Sequence, residues 1–118
     1  MLGPKRYAEV ILARLDDQPA GFVIFFHNFS TFLGKPGLYL EDLFVIPKYR
    51  SMGIGKALLI YLANIAVERG CGRFEWSVLD WNESAIEFYK RLGAVPFEDV
   101  TVFRLTAESL KRLADEQG

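Results

Sequence analysis

The stretch of residues 37–68 constrains this sequence more than any other, because a strand, a short turn and a long helix follow one another directly. It reads GLYLEDLFVIPKYRSMGIGKALLIYLANIAVE. The first N–H groups of a helix have no partner within the helix, and the helix dipole adds positive potential there. Arg50 precedes the turn and Lys56 lies inside it, so both can add positive charge. We therefore predict that this turn binds a pyrophosphate.

Two common phosphate-binding turns do not fit this stretch. A P-loop needs a glycine where Arg50 stands and a Ser or Thr where Ala57 stands. A dinucleotide-binding turn needs a third glycine where Leu58 stands. The pattern that remains, R-x-x-G-x-G over residues 50–55, resembles the coenzyme A signature of the GNAT family of N-acetyltransferases. A plain strand-to-helix turn is the alternative interpretation.

Length and composition indicate one ordinary globular domain over residues 1–118. Hydrophobic residues make up 51% and charged residues 25%, which excludes a disordered chain. The net charge of −1 argues against nucleic-acid binding, and no apolar run is long enough to cross a membrane. One Cys and one His cannot form a structural zinc site, so we expect no metal. The N-terminus lacks a signal-peptide pattern and Cys71 has no disulfide partner, so we expect a cytoplasmic protein.

The rest of the chain predicts alternating strands and helices. We expect strands over residues 7–14, 20–29, 37–46, 73–79 and 99–105, and helices over residues 53–69, 83–92 and 106–114. The first two strands should form a hairpin, and the second is apolar on both faces over residues 22–26, so it should be a central, covered strand. The first helix carries an apolar stripe at helical spacing, formed by Ile54, Leu58, Leu62 and Ile65. Gly70 should end the first helix, and Asn82 and Thr106 should cap the others. The order β-β-β-α-β-α-β-α indicates an α/β (α+β) fold, a mixed sheet flanked by helices. The first helix should form a right-handed connection between parallel strands.

Two adjacent carboxylates, Glu41 and Asp42, interrupt the apolar strand before the turn. Neighbouring strand residues point to opposite faces, so only one should face a given cleft. A buried charge needs a partner, so their presence requires an explanation. One is a strand end where both reach solvent or an arginine. The other is a negative pocket that recruits a cationic amine, with one carboxylate as general base.

A second group of polar residues follows the strand at residues 73–79. Asp80-Trp81-Asn82-Glu83 forms a turn, and the next helix carries Tyr89. Ligands in open α/β sheets bind outside the carboxyl ends of the strands. Asn82 could bind a ligand amide or only cap the helix. Tyr89 could offer a phenol or only pack beside Phe88, and spacing alone leaves both pairs of alternatives open.

The resemblance becomes more specific when these segments are taken together. YLEDLFVIPKYRSMGIGKALL and SVLDWNESAIEFYKRLGA are similar to the spermidine/spermine and thialysine acetyltransferase branch of the GNAT family. The resemblance covers residues 9–105. It implies a GNAT-like sheet and acetyl-CoA as cosubstrate.

The resemblance also implies roles for individual residues. Tyr89 would protonate the leaving thiolate, and Glu41 would help to remove a proton from the amine. Asp42 and Trp81 would border the acceptor site. Asn82 and Tyr89 would contact the coenzyme from the second group of polar residues. The other coenzyme-binding residues would belong to the strand before the turn and to the turn itself: Leu43, Phe44, Val45, Arg50, Ser51, Met52, Gly53, Ile54, Gly55 and Lys56.

These roles suit acyl transfer to an amine. An alkyl ammonium has a pKa of about 10 and needs a base before it can attack a thioester. A thiol leaving group has a pKa of about 8.5, so a phenol can serve as its acid. Attack in this family is direct, so Cys71 is interpreted as structural. His27 is interpreted as a packed or edge residue of a Phe-rich strand.

The sequence departs from the family pattern in two places. The family fold normally begins with a strand and two helices, and this chain begins almost at the hairpin. The apolar strand segment at residues 22–26 could therefore be uncovered on one face, which predicts a homodimer or higher oligomer. Three explanations of the missing elements compete. They are a truncated gene product, a mis-assigned start codon, and a partner chain that covers the exposed face. Ala85 replaces a small hydroxyl residue, which could remove one cofactor hydrogen bond.

We therefore expect an acetyl-CoA-dependent N-acetyltransferase that acts on a small cationic amine, either a polyamine or a lysine-like amino acid such as thialysine. A non-catalytic coenzyme-A-binding module without a complete acceptor site is the second hypothesis. A purely structural β/α interaction domain is the third.

Overall fold

The computed structural model describes residues 8–30, 34–97 and 101–116. These residues form β1 Glu9–Leu15, β2 Gln18–Ser30, β3 Lys35–Val45, a 3-10 helix Pro47–Tyr49, α1 Ile54–Glu68, β4 Arg73–Trp76, α2 Glu83–Arg91 and α3 Ala107–Ala114. The chain divides into two compact units, and the boundary between them lies between Leu79 and Asp80. The prediction of a single domain stays a prediction.

The first unit contains a four-stranded sheet in the order β1-β2-β3-β4. β1 and β2 form the predicted antiparallel hairpin, and its turn residues Asp16 and Asp17 both have positive φ. β3 pairs antiparallel with β2 and parallel with β4, so α1 connects two parallel strands, as predicted. The mixed sheet is confirmed, while the handedness of that connection stays a prediction.

Helix α1 packs on one face of the sheet and forms the core with it. Its predicted apolar stripe is confirmed, since Leu58 and Leu62 are buried. The least exposed large side chains are Phe25, Leu38, Leu62 and Val23, each below 2%. Burial of such side chains is the main stabilising contribution to this unit. None of the helices in the described ranges has both the length and the apolar character needed to span a membrane.

The opposite face of the sheet is also apolar but remains partly exposed. We call it the outer sheet face, and it comprises Val10, Leu12, Phe22, Ile24, Phe26 and Phe44. Val10 is 59% and Leu12 64% exposed, and the rings of Phe22 and Phe44 lie 5.7 Å apart. β2 is therefore central in the sheet, as predicted, but only its α1 side is fully buried.

The end of α1 is attached to the β1–β2 hairpin by charged side chains. Arg69 donates to both carboxylate oxygens of Glu9, with N–O distances of 2.6 and 3.1 Å. Its Nη1 also lies 3.3 Å from Nε2 of His27. The hydrogen bond to Glu9 raises the pKa of the Arg69 guanidinium. His27 thus lies at the surface beside the Glu9–Arg69 ion pair, and its interpretation as a packed or edge residue stays a prediction.

Three expectations from the sequence are wrong. Residues 101–105 form no strand, because no strand of the described residues pairs with them, and Phe103 is 91% exposed. Residues 99–100 of that predicted strand lie outside the described residues. β4 ends at Trp76 rather than residue 79, because its pairing with β3 ends there. Thr106 occupies the N-cap of α3 but its side chain makes no capping hydrogen bond.

Candidate functional site

The turn between β3 and α1 leaves a helix N-terminus without a cap. Gly53 is the N-cap residue, with φ of 82°, and it has no side chain that could accept a hydrogen bond. The first helical bond of α1 runs from the Ala57 N–H to the Gly53 carbonyl, at 3.0 Å. The N–H groups of Ile54, Gly55 and Lys56 therefore have no partner within the helix. No capping hydrogen bond from a side chain is made at this end of α1 within the described residues, so these donors remain for an anion.

The turn itself has an unusual backbone. Ser51, with φ of 71°, and Gly53 both adopt left-handed conformations within three residues. A non-glycine residue at positive φ is uncommon and costs free energy, so the rest of the structure must support it. Turns that include left-handed residues orient successive N–H groups toward a concave side, which is a common arrangement in anion sites. Ser51, Met52 and Gly53 are all exposed.

Arg50 connects the turn to the end of β3. Its Nε donates to the Val45 carbonyl at 3.0 Å, and its guanidinium lies 5.6 Å from the centre of the Phe44 ring. Among the described residues, its Nη groups have no hydrogen-bond partner. Arg50 therefore holds the turn with one nitrogen and can still offer the others to a phosphate. Lys56 is exposed on the first turn of α1 and adds a second cation.

The same turn places α1 close to the predicted pantetheine-binding strand. A Cβ added to Gly55 would lie 3.9 Å from Leu43 Cδ2 and 4.0 Å from Val45 Cγ2. The pairing of β3 with β4 ends at Leu40, whereas β3 continues to Val45. Among the described residues, that edge of β3 has no neighbouring strand beyond Leu40. Its backbone groups are therefore placed to bind an extended ligand.

Glu41 lies at an irregularity that the sequence did not predict. Ile24 of β2 pairs with Asp42, and Phe25 pairs with Leu40, so Glu41 is the extra residue of a β-bulge. Strict alternation of side chains is interrupted at this bulge, so the prediction that only one of Glu41 and Asp42 faces a given cleft stays a prediction. Both side chains are exposed, which agrees with the alternative that both reach solvent, so neither carries a burial cost. Their proposed roles as base and acceptor-site residue stay predictions.

Asn82 in the second unit caps α2, as predicted. Its Oδ1 accepts hydrogen bonds from the Ala85 N–H at 3.3 Å and from the Ser84 hydroxyl at 3.4 Å. The cap does not use the Nδ2 group, which leaves a donor for a ligand. Trp81, the residue before the cap, is 75% exposed. Capping and ligand binding are thus compatible roles for Asn82.

Tyr89 lies near the end of α2 and is half-buried. Its ring is 5.6 Å from the ring of Phe88. Burial raises the pKa of the Tyr89 phenol, because the phenolate would be poorly solvated. The phenol is therefore protonated at neutral pH, which a general acid requires.

Sequence reasoning missed three polar side-chain contacts at or beside β4. The hydroxyls of Tyr39 and Ser77 lie 2.5 Å apart, although 38 residues separate them in the chain. Arg73 donates to Glu75 at 2.9 Å and to Asn28 at 3.0 Å. Arg73 and Glu75 are two positions apart on one strand, so their opposite charges could have indicated the ion pair. No local pattern indicates the contact between Tyr39 and Ser77. No group of three or more potential metal ligands occurs within the described part of the chain.

The structure thus brings part of the predicted site together. The first unit holds the pyrophosphate turn, the free edge of β3 and Glu41 on the same strand. Trp81, Asn82 and Tyr89 lie in the second unit, at α2 and its N-terminus.

Comparison with known proteins identifies the family. The family model described as the acetyltransferase (GNAT) family matches residues 3–94. The integron cassette protein VCH_CASS6 from V. cholerae has a similar structure, with a TM-score of 0.86 and 32% identity. That similarity covers 93% of this chain and 68% of the cassette protein.

Two curated relatives are similar in sequence. The L-ornithine N5-acetyltransferase of Arabidopsis thaliana is 48% identical over 94 residues, which cover 80% of this chain. The thialysine N-epsilon-acetyltransferase of Mus musculus is 37% identical over 116 residues, which cover 91% of this chain. The matches span 41% and 66% of the lengths of those two relatives. The chain therefore belongs to the acetyltransferase (GNAT) family.

Proposed function

We propose that this chain is an acetyl-CoA-dependent N-acetyltransferase that acetylates a primary amine of a small cationic acceptor. The observation that carries the proposal is the uncapped N-terminus of α1, which follows directly after a strand with a free edge. Three N–H groups have no helical partner there, with Arg50 before them in the turn and Lys56 carrying the last of them, which supports a pyrophosphate site. Membership in the acetyltransferase (GNAT) family supports the assignment of that anion site to coenzyme A.

The coenzyme would be bound mainly by backbone groups. The pyrophosphate would accept hydrogen bonds from the turn at residues 50–56 and meet the Arg50 and Lys56 cations. The pantetheine arm would pair with the backbone of Leu43, Phe44 and Val45, since that edge of β3 has no strand beside it. Asn82 would contribute its Nδ2 donor. The bound coenzyme supplies the activated acetyl group.

Two residues would carry the proton transfers. Glu41 would accept a proton from the acceptor ammonium, directly or through water, because only the neutral amine is a nucleophile. The exposed position of Glu41 on a bulge is compatible with access to a substrate. Tyr89 would donate its phenolic proton to the leaving thiolate, and its raised pKa supports a protonated phenol at the start of the step.

The acceptor class follows from charge and from the relatives. Asp42 and Trp81 would border the acceptor, so a carboxylate and an aromatic face would meet an ammonium group. Relatives of this chain are named for ornithine and for thialysine, and a further one as spermidine/spermine acetyltransferase-like. All three names denote amines with a cationic chain. We therefore propose a polyamine or an amino acid with an aminoalkyl side chain.

The proposal is tested by binding and turnover on the same preparation. Isothermal titration calorimetry with acetyl-CoA should give saturable binding, and a thiol-release assay should show turnover with ornithine, thialysine, lysine or spermidine. Binding without thiol release from any of these amines would support the non-catalytic coenzyme-A-binding module instead. Absence of binding would contradict both and leave the structural interaction domain.

We also propose that the chain is cytoplasmic and forms a homodimer or higher oligomer through the outer sheet face. Cys71 is the only cysteine, which suits a reducing compartment. Val10 and Leu12 expose apolar surface that solvent contact disfavours.

Sedimentation velocity should show an assembly larger than a monomer. Leu12→Glu should shift it toward the monomer, since a charge in an apolar interface is costly to desolvate. Val67→Glu is the matched control, because Val67 is 78% exposed on α1, away from the sheet. A monodisperse wild-type monomer would contradict the proposal, as would equal effects of the two variants.

A further inference from the structure

The strands β3 and β4 separate at a defined level of the sheet. Their pairing runs from Gly37 with Arg73 to Leu40 with Trp76, and there it ends. The bulge at Glu41 begins at the next residue of β3. Beyond this level one edge of β3 is free, and that edge is the proposed position of the pantetheine arm.

A side-chain hydrogen bond joins the two strands at the same level. Tyr39 pairs with Glu75 in the ladder, and its hydroxyl reaches past that pair to Ser77, the first residue after β4. The two oxygens lie 2.5 Å apart, and either hydroxyl can be the donor. The Tyr39 ring packs at 5.2 Å from the ring of Phe26, which restricts its orientation. The contact therefore fixes the separation of the strands where the backbone ladder no longer does.

We infer that Tyr39 and Ser77 are positioning residues that set the gap between β3 and the segment after β4. This inference rests on the proposed function, because the gap is the proposed place of the acetyl-pantetheine arm. Neither residue is required to touch the reacting atoms. Their hydrogen bond would act through Glu41, which lies two residues after Tyr39 and is the first residue of the free edge of β3.

A merely structural role predicts a different result. Ser77 is exposed, so loss of this hydrogen bond should have only a small effect on the stability of the fold. A positioning role predicts weaker binding of the coenzyme in a protein that still unfolds at nearly the wild-type temperature. The readouts that separate the two roles are the Kd for acetyl-CoA and the thermal midpoint, measured on the same samples.

The experiment compares Tyr39→Phe, Ser77→Ala and the double variant in the full chain. Each single change should raise the Kd for acetyl-CoA about three- to tenfold, the range expected for one lost hydrogen bond. The double variant should be no worse than the singles, because both remove the same interaction. Ser77→Thr keeps a hydroxyl and should restore most of the affinity. Tyr61→Phe is the matched control, since Tyr61 is exposed on α1.

The outcomes are distinguishable from those that test the proposed function. Wild-type affinity in both single variants, with normal binding by the wild-type chain, would overturn this inference and leave the proposed function intact. Additive losses in the double variant would also overturn it, since the two hydroxyls would then act separately. A wild-type chain that does not bind acetyl-CoA would overturn the proposed function and this inference together.

Discussion

Tyr89→Phe is expected to lower kcat by about a hundredfold or more, the usual effect of removing a general acid. The change deletes one oxygen and leaves the ring that packs beside Phe88. Without the phenolic proton the thiolate must leave unassisted, which raises the barrier of the chemical step. Affinity for acetyl-CoA should stay within about twofold, because the change removes only one hydroxyl and leaves the ring and the other proposed coenzyme contacts in place. Steady-state kinetics and calorimetry on the same preparation measure both quantities.

The pH dependence of kcat is a second, independent test of Tyr89 as the general acid. Burial raises the pKa of Tyr89, so its phenol is protonated throughout the neutral range. An acid must be protonated to act. The alkaline decrease of kcat in the wild-type chain should therefore begin only when the pH passes the raised pKa of Tyr89, which lies above the ordinary tyrosine value of about 10. Tyr89→Phe should lack this alkaline decrease. Turnover at the wild-type level in Tyr89→Phe would remove Tyr89 from the mechanism.

The local parts of this fold and site could be predicted from the sequence because their signals are local. The strand before the turn, the glycine at the helix start and the apolar stripe of Leu58 and Leu62 lie within one short segment. Each signal depends on backbone geometry or helical spacing, and the structure confirms them. Asn82 as the cap of α2 is local in the same sense.

Features that depend on distant partners could not be predicted. The bulge at Glu41 arises from the register of β3 against β2, which is not encoded in the order of residues 40–42. β4 is shorter than its sequence pattern because pairing with β3 stops at Leu40. Residues 101–105 have a strand-like composition but form no strand in the structure. Strand propensity alone does not form a strand without a neighbour.

Within the site, the hydrogen bond made by Arg50 is another feature that the sequence alone could not predict. The sequence placed a cation next to the turn, and it is there. Its Nε hydrogen bond to the Val45 carbonyl joins the turn to the strand that would bind the pantetheine arm. Binding of the two halves of the coenzyme is therefore expected to depend on one shared side chain, which motif matching does not show.

Gly53→Ala adds only one methyl group, but it is expected to weaken acetyl-CoA binding by about tenfold or more. At φ of 82° an alanine is strained by about 1–2 kcal/mol. The turn can relieve that strain by rotating away from the left-handed conformation, and the rotation would redirect the N–H groups at the start of α1. No atom lies within 4 Å of the added Cβ, so a steric clash is excluded as the cause.

Gly70→Ala provides the matched control for this experiment. Gly70 has φ of 70° at the other end of α1, and it too has no atom within 4 Å of an added Cβ. Both variants should therefore lose about the same free energy of unfolding, but only Gly53→Ala should lose affinity in calorimetry with acetyl-CoA. Gly53→Asn should retain more affinity than Gly53→Ala, because asparagine tolerates the left-handed region. Equal affinity losses at Gly53 and Gly70 would show that stability, and not the geometry of the turn, controls binding, and the pyrophosphate site would have to be placed elsewhere.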